Sequence, residues 1–454
     1  MPARRRSASP DASRIELIGW ALYDWANNGF ATVIQTFLFA AYFTRQVAPD
    51  KETGSSYWGT ATGVAGVCVA LLGPLLGATA DQSGRRKPWI VGFTLLCVTA
   101  TACLWFVEPE PADLLLGALL VGLASLGADA AMIFYNAMLP HLAGTERVGR
   151  WSGWGWAMGY AGGLACLIIA LVVFVQPEQP RFGLSQEQAE PIRATVLLVA
   201  AWYALFTLPL LLVTRDAAPQ RKALGQAARD GLRQVRDTLR EVRRYAALVR
   251  FLIARLIYID GLATLFVFGG VFASGTFDMT EREVLYFGIA LNVTAGLGAL
   301  GFSWIDEWAG SKPTILVSLV GLAVPGTLML LVGSPVWTAF FGTSDATYNL
   351  WFLELDRNQL WFWIFGLVLG IFVGPVQAAS RSYLARAAPE ELRTQMFGLY
   401  ALSGKATAFL GPLLVGWISY FADSQRWGMS IVVGLFVLGF ILMLTVPRPE
   451  EACS

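Results

Sequence analysis

The stretch DQSGRRKP, residues 81–88, separates two long apolar runs and has a counterpart in the second half of the chain, DEWAGSKP at residues 306–313. Asp306 and Pro313 follow Asp81 and Pro88 by 225 residues, about half of the 454-residue chain. Similar basic turns, ERVGRWSG and ELRTQMFG, precede the fifth and the eleventh apolar runs. We therefore expect a duplicated chain, although strings this short can also match by chance.

The composition indicates a membrane protein. The chain is 56% hydrophobic and 14% charged, whereas soluble domains carry about 25% charged residues. A span needs about 20 mainly apolar residues, and lipid permits only helices or closed barrels. Twelve such runs are present, near residues 17–43, 55–79, 88–107, 114–138, 152–175, 193–213, 250–275, 284–304, 313–333, 358–380, 396–421 and 427–446. The fold class predicted is an all-α polytopic membrane protein with twelve transmembrane helices.

Lys and Arg are distributed unevenly between alternate loops. About three quarters of the 33 basic residues fall in the set that includes both termini, and an excess of basic residues marks cytoplasmic loops. We expect both termini in the cytoplasm and the protein in a bacterial inner membrane. The predicted organisation is an N-terminal tail 1–16, a six-helix bundle 17–213, a cytoplasmic linker 214–249, a second bundle 250–446 and a tail 447–454.

The loop GATADQSGRRK resembles the signature of the major facilitator superfamily. Five residues match the pattern and one adds charge: Gly77, Asp81, Gly84, Arg85 and Arg86, with Lys87. Four further segments together are similar to the bacterial relatives of the autophagy-related vacuole effluxer family. They are WALYDWANNGFATVI (20–34), FYNAMLP (134–140), GPVQAASRSYLA (374–385) and FGLYALSGKATAFLGP (397–412).

This resemblance implies two six-helix halves and a secondary transporter that works by alternating access, with neutral amino acids as the implied substrate. It also implies that Asp81 meets the N-terminus of the eleventh span, whose helix dipole favours a negative charge. Arg85 and Arg86 would add pairs across the halves. The candidate gating residues come from this loop, from the corresponding loop of the second half and from the tenth span: Gly77, Asp81, Gly84, Arg85, Arg86 and Lys87, then Asp306 and Lys312, and Arg381.

Polar residues recur along the first span at helical spacing. Asp24, Asn27, Asn28 and Gln35 fall on one side of a helix with 3.6 residues per turn. One interpretation is that the stripe lines a watered cavity. The alternative is an interhelical seam of hydrogen bonds, which Asn and Gln commonly supply.

Further polar groups lie within later spans. A charge at the centre of a membrane helix costs about 2.5–3.5 kcal/mol on insertion scales, so such groups are expected to face a cavity or one another. The cavity candidates are Asp129, Asn136, Asp260, Gln377 and Lys405. Lys405 lies too deep to reach the headgroups and needs a carboxylate, water or an anionic group of the substrate. The candidate carboxylates are Asp24 and Asp260, in a bridge that is either permanent or made in one state and released in another. Arg255, near a helix end, is expected to reach the headgroups.

The linker between the two predicted bundles has a pattern of its own. Apolar residues recur at helical spacing from Leu224 to Val249 with arginines off the stripe, typical of a basic amphipathic helix on an anionic membrane surface or, alternatively, docked under the bundle. No nucleotide-binding or metalloprotease motif occurs, so we expect no enzyme, cofactor, metal or nucleic-acid partner.

We expect the protein to be a monomer in the lipid bilayer and to bind a small solute. Proton coupling and proton-independent exchange are equally compatible with the sequence, and a membrane receptor that does not transport is the rival function.

Overall fold

The computed structural model describes residues 13–177, 179, 181–216, 224–240, 245–342, 346–350, 353–408 and 410–451. Most of the predicted N-terminal tail, parts of the linker and the end of the C-terminal tail lie outside the described residues. The helices are α1 (Arg14–Gly29), α2 (Leu38–Tyr42), α3 (Lys51–Ser83), α4 (Lys87–Cys103), α5 (Leu114–Ala170), α6 (Glu190–Val213), α7 (Leu224–Arg240), α8 (Ala246–Phe277), α9 (Glu281–Ala309), α10 (Ser311–Leu331), α11 (Pro335–Phe341), α12 (Arg357–Ala387), α13 (Arg393–Lys405), α14 (Leu410–Phe421) and α15 (Gln425–Leu444).

Eleven helices of the described chain are long and apolar enough to cross a membrane. The first predicted span is also helical, but α1 passes into a π-helix at Phe30–Phe37 before α2, and a second π-helix follows at Phe43–Val47. The wider winding divides this span into short pieces. With it, the twelve predicted spans are all present as helices, and the prediction of an all-α membrane fold is confirmed.

Three further spans are not separate, uninterrupted helices. The fourth and fifth spans, Pro111–Gly144 and Glu146–Val175, share the helix α5, which is kinked where Gly144 adopts φ 67° and ψ 171°. A positive φ favours glycine because it has no Cβ. The eleventh span is divided into α13 and α14, with a turn after Lys405. A small hairpin of β1 (Thr347–Leu350) and β2 (Leu353–Asp356) lies between the ninth and tenth spans.

The two halves repeat a specific contact. Lys87 Nζ, at the start of α4, donates to the Leu211 carbonyl near the end of α6 at 2.9 Å. Lys312 Nζ, at the start of α10, donates to the Leu444 carbonyl at the end of α15 at 3.1 Å. The two lysines are 225 positions apart, so these matching contacts support the predicted duplication.

The halves meet along α3 and α13 and along the second segment of α5, which packs against α9 and α12. Glycine permits the closest of these approaches. A Cβ at Gly77 would overlap the Thr394 carbonyl oxygen, and a Cβ at Gly398 would overlap the Gly73 backbone. These contacts lie toward the face of the molecule that carries the loop between α3 and α4, which we call the loop face.

The linker helix α7 packs beneath α3 on the loop face. Its buried side presents Ala227 and Gly231, whereas Leu232 of the predicted apolar stripe is exposed. Gln234 accepts from Gln82 of α3 at 2.7 Å and donates to Gln395 of α13 at 2.8 Å. The described part of the linker is therefore docked under the bundle, because small residues let α7 approach α3 closely.

Candidate functional site

A buried ion pair joins the two halves. The Arg381 guanidinium of α12 lies 3.0 Å from the Asp24 carboxylate of α1, and the residues are only 1% and 3% exposed. The Tyr135 hydroxyl donates to the same carboxylate oxygen at 2.9 Å, and Arg381 also donates to Asn136 Oδ1 at 3.2 Å. These extra hydrogen bonds matter because a buried charge that loses its partners is strongly destabilising.

Groups of the first half hold Arg381 in place. Its Nε donates to Ser152 Oγ at 2.9 Å, and its Nη2 donates to the Ser152 carbonyl at 2.6 Å. The rings of Trp20, Tyr135 and Trp156 lie 5.0, 5.8 and 5.8 Å from the guanidinium carbon, within the range of cation–π attraction. The sequence did not point to Ser152 or Trp20, because their proximity to Arg381 depends on how the two halves pack.

Beyond Asp24, which binds Arg381 of the second half, the polar stripe of the first span faces its own half. Asn27 Oδ1 accepts from the Tyr203 hydroxyl of α6 at 2.8 Å, and Gln35 Nε2 donates to Ser125 Oγ of α5 at 2.9 Å. Asn28 Nδ2 donates to a carbonyl one turn earlier in α1 at 3.0 Å. These contacts correct the cavity interpretation: the stripe forms an interhelical seam because α5 and α6 pack directly against it.

A cavity of about 270 Å³ lies between the halves. Its apolar wall includes Met132, Ile133 and Phe397. Its polar and ionisable residues come from both halves: Asp129 and Asn136 from α5, Arg255 from α8, Gln377 and Arg381 from α12, and Lys405 from α13. Four predicted site residues, Asp129, Asn136, Gln377 and Lys405, are therefore brought together, whereas Asp24 lies behind the wall.

Lys405 pairs with Asp129 across the cavity. Lys405 Nζ lies 2.9 Å from Asp129 Oδ2, and the two side chains are 40% and 28% exposed. This corrects the expectation that Asp24 or Asp260 is the partner: Asp24 is already bound to Arg381. A partly exposed pair contributes little net stability, so other ligands can compete for either group.

The eleventh span is interrupted beside this ion pair. Lys405 ends α13, the Ala406 amide completes the last turn by donating to the Leu402 carbonyl at 2.9 Å, and α14 begins at Leu410. The C-terminal end of α13 attracts cations through its helix dipole, which favours the ammonium of Lys405. Discontinuous helices of this kind line the substrate sites of many transporters.

Arg255 does not reach the headgroups as expected. It is 7% exposed, and its Nη1 donates to the Tyr400 carbonyl at 2.7 Å and to Ser403 Oγ at 2.6 Å. The guanidinium carbon also lies 3.4 Å from the centre of the Tyr400 ring. The close approach of α13 to α8 encloses Arg255 and turns it toward the cavity.

Asp260 and Gln377 occupy different surroundings. Asp260 is buried, does not contribute to the cavity wall, and its Oδ1 has no hydrogen-bond partner among the described residues. The expectation that Asp260 lines the cavity is therefore not met. Gln377 Nε2 donates to the Tyr160 hydroxyl at 3.1 Å, which adds a contact between α12 and α5.

Asp81 makes the contact that the family resemblance implies. Its carboxylate oxygens accept from the backbone amides of Thr394 and Gln395, at 3.1 and 2.9 Å, at the N-terminus of α13. Arg86 lies 3.9 Å from Asp81 and donates through Nε to Thr394 Oγ1 at 3.0 Å. Gly84 ends α3 with φ 77°. The halves are thus joined at the loop face, while the gating role of these residues stays a prediction.

The other gating candidates have partners in their own halves or none that the structure describes. Arg85 is exposed and forms no ion pair with a described residue. Lys87 and Lys312 bind helix ends of their own halves, as described above. Asp306 pairs with Arg386 of the same half at 2.7 Å. Its neighbour Glu307, which the sequence did not single out, pairs across the interface with Arg150 at 2.6 Å.

Two further observations bear on the choice of the candidate site. A second cavity of about 200 Å³, lined mostly by the second half, is almost entirely apolar and includes Phe287, Leu291 and Phe362. Within the described ranges, no group of three or more His, Cys, Asp or Glu side chains could hold a metal ion. The cavity with the Lys405–Asp129 pair is therefore the candidate site.

Comparisons with known proteins agree with this architecture. The chain is 26% identical over 435 residues to the MFS-type transporter YxiO of Bacillus subtilis, covering 94% of each chain. It is 25% identical over 308 residues to Autophagy-related protein 22-1 of Neosartorya fischeri, covering 65% of this chain and 48% of that protein. The chain thus spans about half the length of this fungal relative.

The fold matches a solved transporter of the major facilitator superfamily. The proton:xylose symporter XylE, bound to 6-bromo-6-deoxy-D-glucose, superposes with a TM-score of 0.69 at 12% identity over 96% of both chains. The predicted twelve-helix major facilitator fold is therefore confirmed, and the chain is a multi-pass membrane protein. Residues 12–451 match the family model described as Vacuole effluxer Atg22 like. The chain belongs to this Atg22-like vacuole effluxer family, as the sequence segments predicted.

Proposed function

We propose that the chain is a secondary transporter that carries a small solute by alternating access. The two moving units are residues 17–213 and 250–446, joined by residues 214–249. The observation that carries the proposal is the Lys405–Asp129 ion pair, which links the two units inside a cavity between them. A partly exposed pair at such a place can open when a solute binds or when the units move apart.

The contacts between the units are those expected of a closed gate at the loop face. Asp81 binds the N-terminus of α13, and Arg381 binds Asp24 deeper in the interface. These contacts support a state in which the two units are closed against each other at the loop face.

We further propose that the loop face is cytoplasmic, in a bacterial inner membrane, and that the protein acts as a monomer. The excess of Lys and Arg in the loops of this face and in both termini supports the orientation. The described state is then the one closed to the cytoplasm. The bacterial relative YxiO, an MFS-type transporter that matches over nearly its whole length, supports a bacterial membrane.

Neutral amino acids are the first substrates to test, because the family resemblance implies them. We place proton exchange, if transport is coupled to protons, at Asp129. Asp24 is held by Arg381 and Tyr135, and Asp260 does not line the cavity. Asp129 alone among these three carboxylates has both access to the cavity and a partner that can leave.

Purified full-length protein in proteoliposomes tests the function directly. Labelled neutral amino acids, sugars and peptides are offered with and without an imposed pH gradient, with protein-free liposomes as the baseline. We expect flux of at least one solute. Solutes that stabilise the protein against thermal unfolding but never cross the membrane would instead identify a receptor.

The proton step has its own comparison. Asp129→Asn is expected to abolish any stimulation by the pH gradient. Asp278→Asn is the matched control, because Asp278 is exposed and its backbone has φ 53°, which asparagine also tolerates. Stimulation that persists in Asp129→Asn would remove Asp129 from proton coupling.

A further inference from the structure

The charges that face the cavity do not balance. Three cationic residues, Arg255, Arg381 and Lys405, line it together with one carboxylate, Asp129. Lys405 is neutralised by Asp129, and Arg381 is neutralised from behind the wall by Asp24. Arg255 remains without an anionic partner among the described residues.

The groups that hold Arg255 are all uncharged. Nη1 donates to the Tyr400 carbonyl and to Ser403 Oγ, and the guanidinium stacks on the Tyr400 ring. Nε has no hydrogen-bond partner in the described part of the chain. The carbonyls at the end of α13 and the aromatic face attract a cation but do not cancel its charge.

Two simpler explanations of Arg255 fail on geometry. Its low exposure rules out a side chain that extends to the headgroups. Asp260 lies five positions further along α8, about 140° around the helix, and no ion pair joins the two residues. A buried, hydrogen-bonded cation that faces a cavity and lacks a counter-charge is a characteristic of an anion site.

We propose that the cavity binds a small solute through an acidic group, a carboxylate or a phosphate, and that Arg255 is the residue that pairs with this group. The inference rests on the proposed transport function and adds the chemical class of its substrate. The donors left for such a group are those of Nη2, because Nη1 makes two hydrogen bonds and Nε is enclosed. The Tyr400 ring and the two Nη1 bonds fix the plane of the guanidinium before the solute arrives.

Lys405 supplies the second positive group. It is engaged with Asp129 in the described state, so an incoming acidic group competes with Asp129 for the ammonium. Binding would then loosen the one ion pair that spans the cavity. This links recognition of the acidic group to the separation of the two halves, because the pair joins α13 to α5.

Equilibrium binding to the purified full-length protein tests the assignment with simple probes. Sodium acetate, its neutral analogue acetamide and inorganic phosphate are compared with sodium chloride at equal ionic strength. We expect acetate or phosphate to raise the unfolding temperature and acetamide to leave it unchanged. A response to acetate alone assigns a carboxylate, and a response to phosphate alone assigns a phosphoryl group. The assignment is overturned if neither anion stabilises the protein.

Variants then locate the site. Arg255→Gln is expected to weaken anion binding by at least roughly tenfold, the loss expected for one charged hydrogen-bonding partner. Arg250→Gln is the control: it makes the same change of charge five positions earlier in α8, at an exposed residue that donates to the Thr445 carbonyl. Unchanged binding in Arg255→Gln, or equal losses in both variants, would refute the role of Arg255.

A charge-conserving variant covers the case in which Arg255→Gln does not fold. Arg255→Lys keeps the positive charge but loses the planar group that Tyr400 and Ser403 hold in place, so it should bind the same anion severalfold more weakly; affinity equal to wild type contradicts the proposal. Binding and flux report separately on the two proposals. Anion binding without transport supports the anion site and contradicts the transporter, whereas transport restricted to solutes that lack both a carboxylate and a phosphate supports the transporter and contradicts the anion site.

Discussion

The Lys405 ammonium of α13 lies 2.9 Å from the Asp129 carboxylate of α5, so this ion pair crosses the interface between the two halves inside the cavity. Its position at the end of α13, where the eleventh span is interrupted, gives the ammonium a setting that can change as the halves move. Its partial exposure and this position favour the proposed role in transport over that of a purely structural polar contact.

Replacing Lys405 tests this distinction. Lys405→Ala is expected to reduce uptake or efflux at least tenfold in proteoliposomes. The free energy of unfolding should change by less than about 1 kcal/mol, because a partly exposed ion pair contributes little to stability. Unchanged flux would remove Lys405 from the mechanism. A loss of flux that is accompanied by a large loss of stability would assign Lys405 a structural role.

The Asp24–Arg381 pair, in contrast, is expected to contribute strongly to stability. Asp24→Asn or Arg381→Gln alone should each lower the free energy of unfolding by about 3–5 kcal/mol, because the remaining group is left buried and unpaired. The double variant should recover part of this loss. Chemical denaturation in detergent measures all three variants; a double variant as unstable as the sum of the singles would show that the residues act independently.

The glycines of α3 predict that the effect of an added methyl group on stability depends on its position along the helix. A Cβ at Gly77 would overlap the Thr394 carbonyl, whereas one at Gly63, on the same helix, meets nothing within 4 Å. Gly77→Ala should therefore cost about 1–3 kcal/mol through overpacking, and Gly63→Ala should be neutral or slightly stabilising because alanine favours helices. Thermal unfolding and flux are measured for both; equal effects would mean that α3 and α13 are not packed as described.

Asp81 is expected to protect the start of α13. Asp81→Ala removes the acceptor of two backbone amides, and loss of such a cap costs about 1 kcal/mol. Amide hydrogen exchange at Thr394 and Gln395 should then accelerate by roughly fivefold. The control is Asp50→Ala at the other end of α3, where Asp50 accepts from the Thr53 amide at 2.7 Å; it should leave exchange in α13 unaltered. If amide exchange at Thr394 and Gln395 is no faster in Asp81→Ala than in wild type, the contact between Asp81 and the start of α13 is contradicted.

Patterns repeated along the chain predicted the architecture. Twelve apolar runs predicted the spans, the loop motif indicated the superfamily, and four further segments indicated the family; the offset of 225 residues between two loops predicted a duplication. Each is a local property: the length of an apolar run reflects the thickness of the bilayer, and the loop motif consists of neighbouring residues. The interruption of the eleventh span at Lys405 was not anticipated, because FGLYALSGKATAFLGP reads as continuously apolar apart from one cation.

Pairings between helices were predicted less well. The sequence identified Asp24, Asp129, Arg381 and Lys405 as unusual, but it assigned Lys405 the wrong partner. Periodicity shows which residues share a face of one helix, yet it carries no information on which helix packs against that face. The stripe with Asn27 and Gln35 illustrates this, since a seam and a cavity wall require the same spacing.

Hydropathy and spacing along the chain were sufficient to predict a membrane protein of two related six-helix halves with charges inside its spans. Which charges neutralise each other, and that Arg255 has no counter-ion among the described residues, became visible in the packed helices alone. A pairing in a low-dielectric interior depends on distances between helices, and these are set by packing contacts such as Gly77 against Thr394.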